Sequence, residues 1–209
     1  FFEYKPVGYW DRLTDADMQG ELSKFFRHDL DNRTISALTM MTRLKDTREF
    51  LPEFNKGRVW NFANGTLELD TGVLREPNPD DYLRFQVGYN YDEKAECPVF
   101  DKFLNDVTCG DETRINFLLD MLGYIFYVDN ALQKLFFLIG EGNNGKSTFI
   151  EMIKDLVYNV HAKKDNQTFT AIEPVELSED TKAIMLKNSF VNLCYDITTN
   201  IKDTSALKK

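Results

Sequence analysis

The sequence predicts an α/β protein: a P-loop core on a mainly parallel sheet with helices on both faces, C-terminally incomplete and preceded by a smaller α+β domain. Three observations carry that prediction. The stretch Gly140-Glu141-Gly142-Asn143-Asn144-Gly145-Lys146-Ser147 has the spacing G-x-x-x-x-G-K-[ST]. It follows the apolar run Leu135-Phe136-Phe137-Leu138-Ile139 and opens a segment of helical period, the strand–loop–helix setting such a loop requires. The first hundred residues instead mix short helical periods with turn-bounded strand signals.

The bulk composition bounds the rest. At 209 residues, with 43% hydrophobic and 28% charged residues, the chain is expected to be globular, soluble and able to bury a core, as one domain or two small ones. No apolar run approaches the ~18 residues of a membrane span. The start Phe1-Phe2-Glu3-Tyr4-Lys5 has neither Met nor an apolar leader, and the chain stops at Ala206-Leu207-Lys208-Lys209. A piece of a longer protein is therefore expected. A net charge of −9 opposes tight non-specific binding to nucleic acid but leaves room for a local basic track. Cys97, Cys109 and Cys194 form no C-x-x-C pair, which fits a reducing, intracellular compartment. His28 and His161 lack ligand spacing and are expected at the surface.

Along the chain, residues 1–13 alternate aromatic and polar positions around Lys5-Pro6-Val7-Gly8, predicting a short hairpin. Thr14 starts a helix with acids in its first turn and Met18, Leu22, Phe25, Phe26 and Leu30 on one face. A second helix from about Asn32 carries Ile35, Leu38, Met41 and Leu44. From Arg58 the pattern turns to strands: Val59 to Ala63, a tight turn at Asn64-Gly65, then Thr66 to Leu69. Asp70-Thr71-Gly72 is a second turn, 77–81 a loop, and 82–91 a further strand. Pro98 opens a helix with Val99, Phe100, Phe103, Leu104 and Val107 inward. The next helix, 112–128, is apolar nearly all round and is expected between two layers. The helix after the loop places Phe149, Ile150, Ile153, Leu156 and Val157 on one side.

The loop has a definite chemistry. Glycines at 140, 142 and 145 let successive N–H groups turn toward one anion, and the helix opening at Lys146 adds its partial positive charge. Lys146 would reach the β- and γ-phosphates of ATP, and the Ser147 hydroxyl would sit on Mg²⁺. Thr148 falls one position too late for the metal and is expected to face helix packing. Glu141 lies in the variable part of the loop and is expected to face solvent. The nucleotide-binding set is thus Gly140, Glu141, Gly142, Asn143, Asn144, Gly145, Lys146, Ser147 and Thr148. Hydrolysis also needs a carboxylate at the end of a neighbouring strand. The strand-like run Phe190-Val191-Asn192-Leu193-Cys194-Tyr195 ends in Asp196, the candidate catalytic and metal-holding acid beside Lys146 and Ser147. Glu173, Glu176 and Glu179 read as a solvated loop. Trp10 and Trp60 could stack on bases, but without clustered Lys and Arg around them core packing is the favoured role.

The G-x-G-x-N-G-K-S form of the loop, Gly140-x-Gly142-x-Asn144-Gly145-Lys146-Ser147, resembles that of superfamily 3 helicases, in the branch of phage, plasmid and large-DNA-virus primase-helicases. The resemblance extends upstream. Asn64-Gly65-Thr66-Leu67-Glu68-Leu69 with Thr71-Gly72 is similar to the family's "NG-x-LDL-x-TG" hairpin. Tyr91-Asp92, Ala95, Cys97-Pro98, Phe100 and Phe103-Leu104 resemble its "YDP-x-A-x-CP-x-F-x-x-FL" segment, and Gly123-Tyr124 and Gln133-Lys134 match too. The resemblance implies an N-terminal module over 1–97, a helical linker or collar over 98–130 and an AAA+-like helicase core from 131 to 209. It also implies a homo-oligomeric, hexameric ring that hydrolyses ATP to move on single-stranded or forked DNA, gripped mainly by elements beyond residue 209. The setting would be the cytoplasm of a bacterial host or a viral replication site, with no membrane. By this likeness Asp196 is the Walker B acid. Many relatives place two acids in succession where this chain has Tyr195-Asp196. The family's DNA hairpin, polar sensor and arginine finger map to no residue here, and such a finger supplies orders of magnitude in rate. Two other readings stand beside the helicase: a P-loop ATPase acting as a regulatory or assembly switch, and a non-catalytic docking fragment. An incomplete sheet leaves an edge strand, so the fragment is expected to be aggregation-prone.

Overall fold

The computed structural model describes residues 2–25, 32–46, 53–127, 132, 134–163, 167–174, 176, 182, 185–186 and 189–195. Strands β1 (Phe2–Lys5) and β2 (Tyr9–Arg12) form the expected antiparallel hairpin, with Phe2 opposite Arg12 and Lys5 opposite Tyr9. Its turn needs glycine: Gly8 has φ 97°, and a Cβ there would lie 2.4 Å from the Pro77 side chain. Helix α1 (Asp15–Phe25) opens with a reciprocal cap. The Asp17 N–H donates to Thr14 Oγ1 (3.2 Å), and the Thr14 N–H donates to Asp17 Oδ2 (2.8 Å). Helix α2 (Asn32–Asp46) buries Ile35 and Thr39. Met41, grouped with Ile35, is exposed, since it lies about 160° around the helix from Thr39. Phe26, Leu30 and His28 lie outside the described residues, and the side chains of Phe25 and Leu44 are not described.

The centre of the N-terminal half is a three-stranded antiparallel sheet in the order β3 (Val59–Phe62), β4 (Gly65–Glu68), β5 (Leu74–Arg75). The tight turn falls one residue earlier than expected. Phe62 pairs with Gly65, so Ala63 and Asn64 form the loop. Gly65 is the residue that takes positive φ (145°), where a Cβ would sit 2.7 Å from the Arg75 carbonyl oxygen. The 82–91 segment forms no ladder. Leu83 to Val87 are all buried, yet much of their backbone is satisfied by side-chain amides. Asn61 Nδ2 donates to Phe85 O (3.0 Å), Asn55 Oδ1 accepts from Arg84 N (2.8 Å), and Asn159 Oδ1 accepts from Gln86 N (3.1 Å). Buried polar backbone must find partners, and here long-range amides supply what a neighbouring strand would.

Helix α3 (Pro98–Thr108) has Pro at its first turn and ends on Cys109 in the left-handed region. Leu104 is buried, Phe100 and Phe103 pack partly against the core, and Val107 is half-buried. Val99, expected inward, is 82% exposed, because it precedes Leu104 by five residues, about 140° around the helix. Helix α4 (Glu112–Phe126) is N-capped by Asp111 and buries Met121, Leu122 and Ile125. It is not enclosed on both sides: Phe117 is 56% exposed and Leu119 is also exposed, since among the described residues a second covering layer is absent. The apolar run 135–139 likewise forms no strand. A strand apolar on both faces needs neighbours on both edges. Among the described residues none pairs with it, and Ile139 is 92% exposed.

Beyond the loop, α5 (Lys146–Leu156) leads to a short parallel pair, β6 (Phe169–Thr170) with β7 (Val191–Asn192). One core joins these parts. Trp60 is fully buried, with ring centroids 4.8 Å from Phe85, 4.7 Å from Phe126 and 4.7 Å from Phe190. The core therefore draws on residues from all three segments marked out by the sequence. Among the described residues no helix is long and apolar enough to cross a membrane.

Candidate functional site

The loop is shaped by two residues in the left-handed region, Asn143 (φ 58°) and Gly145 (φ 83°). Gly145 is the N-cap of α5, and its carbonyl accepts from Phe149 N (2.9 Å). It is pressed against α3: a Cβ at 145 would lie 2.7 Å from Val107 Cγ1 and 3.1 Å from Phe103 Cε2. Phe103 also stacks on Phe149 of α5, centroids 6.5 Å apart. Lys146, the first residue of α5, folds back over the loop. Its ammonium donates to Gly140 O (2.8 Å), Glu141 O (2.8 Å) and Asn144 Oδ1 (2.7 Å). The Asn144 amide lies over Gly140, where a Cβ would come within 2.2 Å of Asn144 Nδ2. Gly142, by contrast, has open space on its Cβ side.

Ser147 and Thr148 are both exposed in the first turn of α5. Thr148 therefore does not face helix packing; the inward positions of that turn go to Phe149 and Ile150. Glu141 is exposed, as expected. Asp196 lies outside the described residues. Its neighbour Tyr195 donates to Glu151 Oε1 of α5 (2.6 Å), so the end of the β7 segment runs beside the loop's helix. That bond and Lys154 hold the Glu151 carboxyl below the ordinary range, and the same bond to Glu151 pushes the Tyr195 phenol up against the opposing charge of Lys154. Among the described residues no group of three or more His, Cys, Asp or Glu could hold a metal ion. Cys97 and Cys109 are free, exposed thiols.

The far end of α5 is held by residues that sequence reasoning missed. Asn159 is fully buried and spans two segments. Its Oδ1 accepts from Gln86 N (3.1 Å) and His161 N (3.0 Å), and its Nδ2 donates to Arg84 O (3.4 Å). The Tyr89 hydroxyl donates to Leu156 O (2.6 Å), and burial pushes its pKa up to about 12. His161 is half-buried, not the freely exposed histidine the sequence predicts. It stacks on Tyr9 with centroids 4.2 Å apart and meets Gln86 Oε1 through Nε2 at 3.0 Å. Burial lowers its pKa, against an opposing pull from Asp11. Lys163 closes the group with bonds of 2.8 and 2.7 Å to the two Asp11 carboxylate oxygens. Nothing in the local sequence signals these roles, since a lone Asn after a helix reads as an ordinary cap.

A small sheet, two flanking helices and a loop-helix pinned at both ends define an α+β module continuous with the glycine-rich loop at 140–147. Residues 6–109 match the model of the D5 N terminal like family. The hairpin at 64–72 and the 91–104 segment, two of the motifs that carry the resemblance, fall inside the match, whereas Gly123-Tyr124 and Gln133-Lys134 fall outside it. The loop at 140–147 falls outside it. A protein of Acanthamoeba polyphaga mimivirus named "Putative helicase" is 27% identical over 112 residues, covering 52% of this chain and 12% of the viral protein. An uncharacterized mitochondrial protein of Marchantia polymorpha is 25% identical over 122 residues, covering 53% of this chain and 68% of that protein.

Proposed function

We propose that this chain is the nucleotide-binding front part of an ATP-dependent DNA helicase of the replicative primase-helicase kind. The observation that carries the reading is the seat of Lys146: an ammonium at the mouth of a glycine loop, on the first residue of a helix capped by left-handed Gly145. The N-terminal likeness to a viral protein with a helicase name supports it from the other side. In this reading ATP places its phosphates over 140–148, Lys146 meets the β- and γ-oxygens, and Ser147 joins the Mg²⁺ that the nucleotide brings. Asp196 completes the metal site from the end of the segment that Tyr195 ties to α5. In the full-length protein, ring assembly of a hexamer and grip on DNA follow from further elements, at a cytoplasmic replication site. The net charge of −9 favours one alternative, a P-loop ATPase that switches a partner without unwinding DNA.

The test is equilibrium binding of Mg·ATP to the chain, then ATPase activity of the full-length protein with and without single-stranded DNA. The expected result is ATP binding lost in Lys146→Ala and turnover stimulated by DNA. Turnover indifferent to DNA would replace the helicase with the switch, and absence of nucleotide binding would remove both.

A further inference from the structure

A lysine ammonium has three N–H donors, and in this loop all three are engaged. Two go to backbone carbonyls, those of Gly140 and Glu141; the third goes to the Asn144 carboxamide oxygen at 2.7 Å. An incoming phosphate can gain Lys146 only by displacing one of these acceptors. The carbonyls belong to the loop's own backbone, whereas the Asn144 side chain can rotate away. Gly140 makes the arrangement possible, since any Cβ there would strike the Asn144 amide at 2.2 Å. Asn144 is not held by backbone strain, as the left-handed positions are its neighbours Asn143 and Gly145.

We propose that Asn144 is a placeholder for the phosphate: its carboxamide oxygen occupies Lys146 in the empty loop and hands the ammonium to the nucleotide. This rests on the nucleotide-binding reading above and adds to it a residue acting through Lys146. Two consequences have opposite signs. Asn144→Ala removes the competing acceptor while both carbonyls still position the ammonium, so nucleotide binds more tightly. The gain is about fivefold, the worth of one ordinary hydrogen bond. Asn144→Asp turns the placeholder into an anion that pairs with Lys146 and repels phosphate, so binding weakens by at least about tenfold.

Two measurements on the whole chain test this. The first uses no nucleotide: the rate at which a small amine-acylating reagent labels Lys146, read by peptide mass spectrometry. Freed of one acceptor, Lys146 labels several-fold faster in Asn144→Ala and more slowly in Asn144→Asp. An unchanged rate in both variants overturns the placeholder, whatever happens with nucleotide. The second is titration with a fluorescent ATP analogue and Mg²⁺ in wild type, Asn144→Ala, Lys146→Ala and the double variant. A gain in Asn144→Ala that disappears in the Lys146→Ala background supports action through the lysine. A gain that persists there, or no gain at all, overturns it. Labelling that shifts as expected while no variant binds the analogue removes the nucleotide reading and the hand-over together, and leaves the Asn144–Lys146 contact as a structural bond.

Discussion

Replacing Asn159 by Ala tests whether the loop-helix and the N-terminal module are one cooperative unit. The substitution removes a fully buried amide and strands three backbone groups: the N–H groups of Gln86 and His161 and the carbonyl of Arg84. The first two bonds are 3.1 and 3.0 Å, and the third, at 3.4 Å, is the weakest. A buried group left without a partner costs about 1–3 kcal/mol. Counting the two firm bonds at the middle of that range, and discounting His161, which is partly exposed, gives about 3 kcal/mol. For a chain of this size each kcal/mol moves the melting temperature by about 2–4 °C, so a fall of roughly 6–12 °C is expected. The assay is urea unfolding followed in parallel by tryptophan fluorescence and far-ultraviolet circular dichroism. Trp60, in the shared core, reports both parts at once. Asn90→Ala, at an exposed position, is the control and should stay within about 0.5 kcal/mol of wild type. A loss below about 0.5 kcal/mol in Asn159→Ala, with an unchanged denaturant slope, would refute the idea that this amide joins the two parts.

Three further outcomes are expected. Gly145→Ala should destabilise more than Gly110→Ala: both have positive φ, but only position 145 also meets Val107 at 2.7 Å, while 110 has open space. The left-handed conformation alone costs about 1–2 kcal/mol, so equal losses in thermal melts of the two variants would show that the contact with α3 is slack. Asp11→Asn and Lys163→Met should each lower stability by about 1 kcal/mol, limited by the half-exposed lysine, and the double variant should lose less than their sum. Strict additivity in that cycle would exclude a working ion pair. For His161 the folded pKa lies below its ordinary 6.5, so the unfolded chain takes up the proton first as pH falls. Its contribution to stability is therefore complete above about pH 6.5 and declines as pH drops through 6.5 toward the lowered folded value. Urea midpoints at pH 7.5 and 5.5 should converge in His161→Phe, and an identical pH slope in both proteins would assign the effect elsewhere.

What the sequence made legible is what local chemistry decides. The Thr14–Asp17 cap, Pro98 at the start of α3, the β1–β2 hairpin and the glycine loop before α5 each depend on residues within a few positions of one another. The chain pattern was misleading where distant groups decide. Residues 82–91 have strand composition, yet Asn55, Asn61 and Asn159, from 24 to 75 positions away, supply the partners that replace a ladder. The run at 135–139 has the composition of a central strand, but composition cannot provide the neighbours that make one. Val99 and Met41 were grouped by apolar character, and their angles around the helix place them outside. In the site, Lys146 was legible because its motif is local. The clamp at Asn159 was not, because a single polar residue shows its role only once the segment it bridges is in place.

The family match stops at residue 109, but the packing does not. Trp60 lies inside the matched segment, and two of the rings around it, Phe126 and Phe190, lie beyond it. The loop-helix is gripped at its start by Phe103 and Val107 of α3 and at its end by the backbone of 84–86, all from the matched segment. A displacement of α5 would therefore have to break buried contacts at one end or carry the module with it, because a close-packed interior transmits strain. The Lys146 and Asn144 side chains sit on the open side of the loop, and their mutual bond can be exchanged without disturbing either hold. On the nucleotide-binding function proposed above, anion capture by this loop is thus cheapest as a side-chain exchange on a fixed frame. Any larger movement on nucleotide binding would pass through α3 into the N-terminal module.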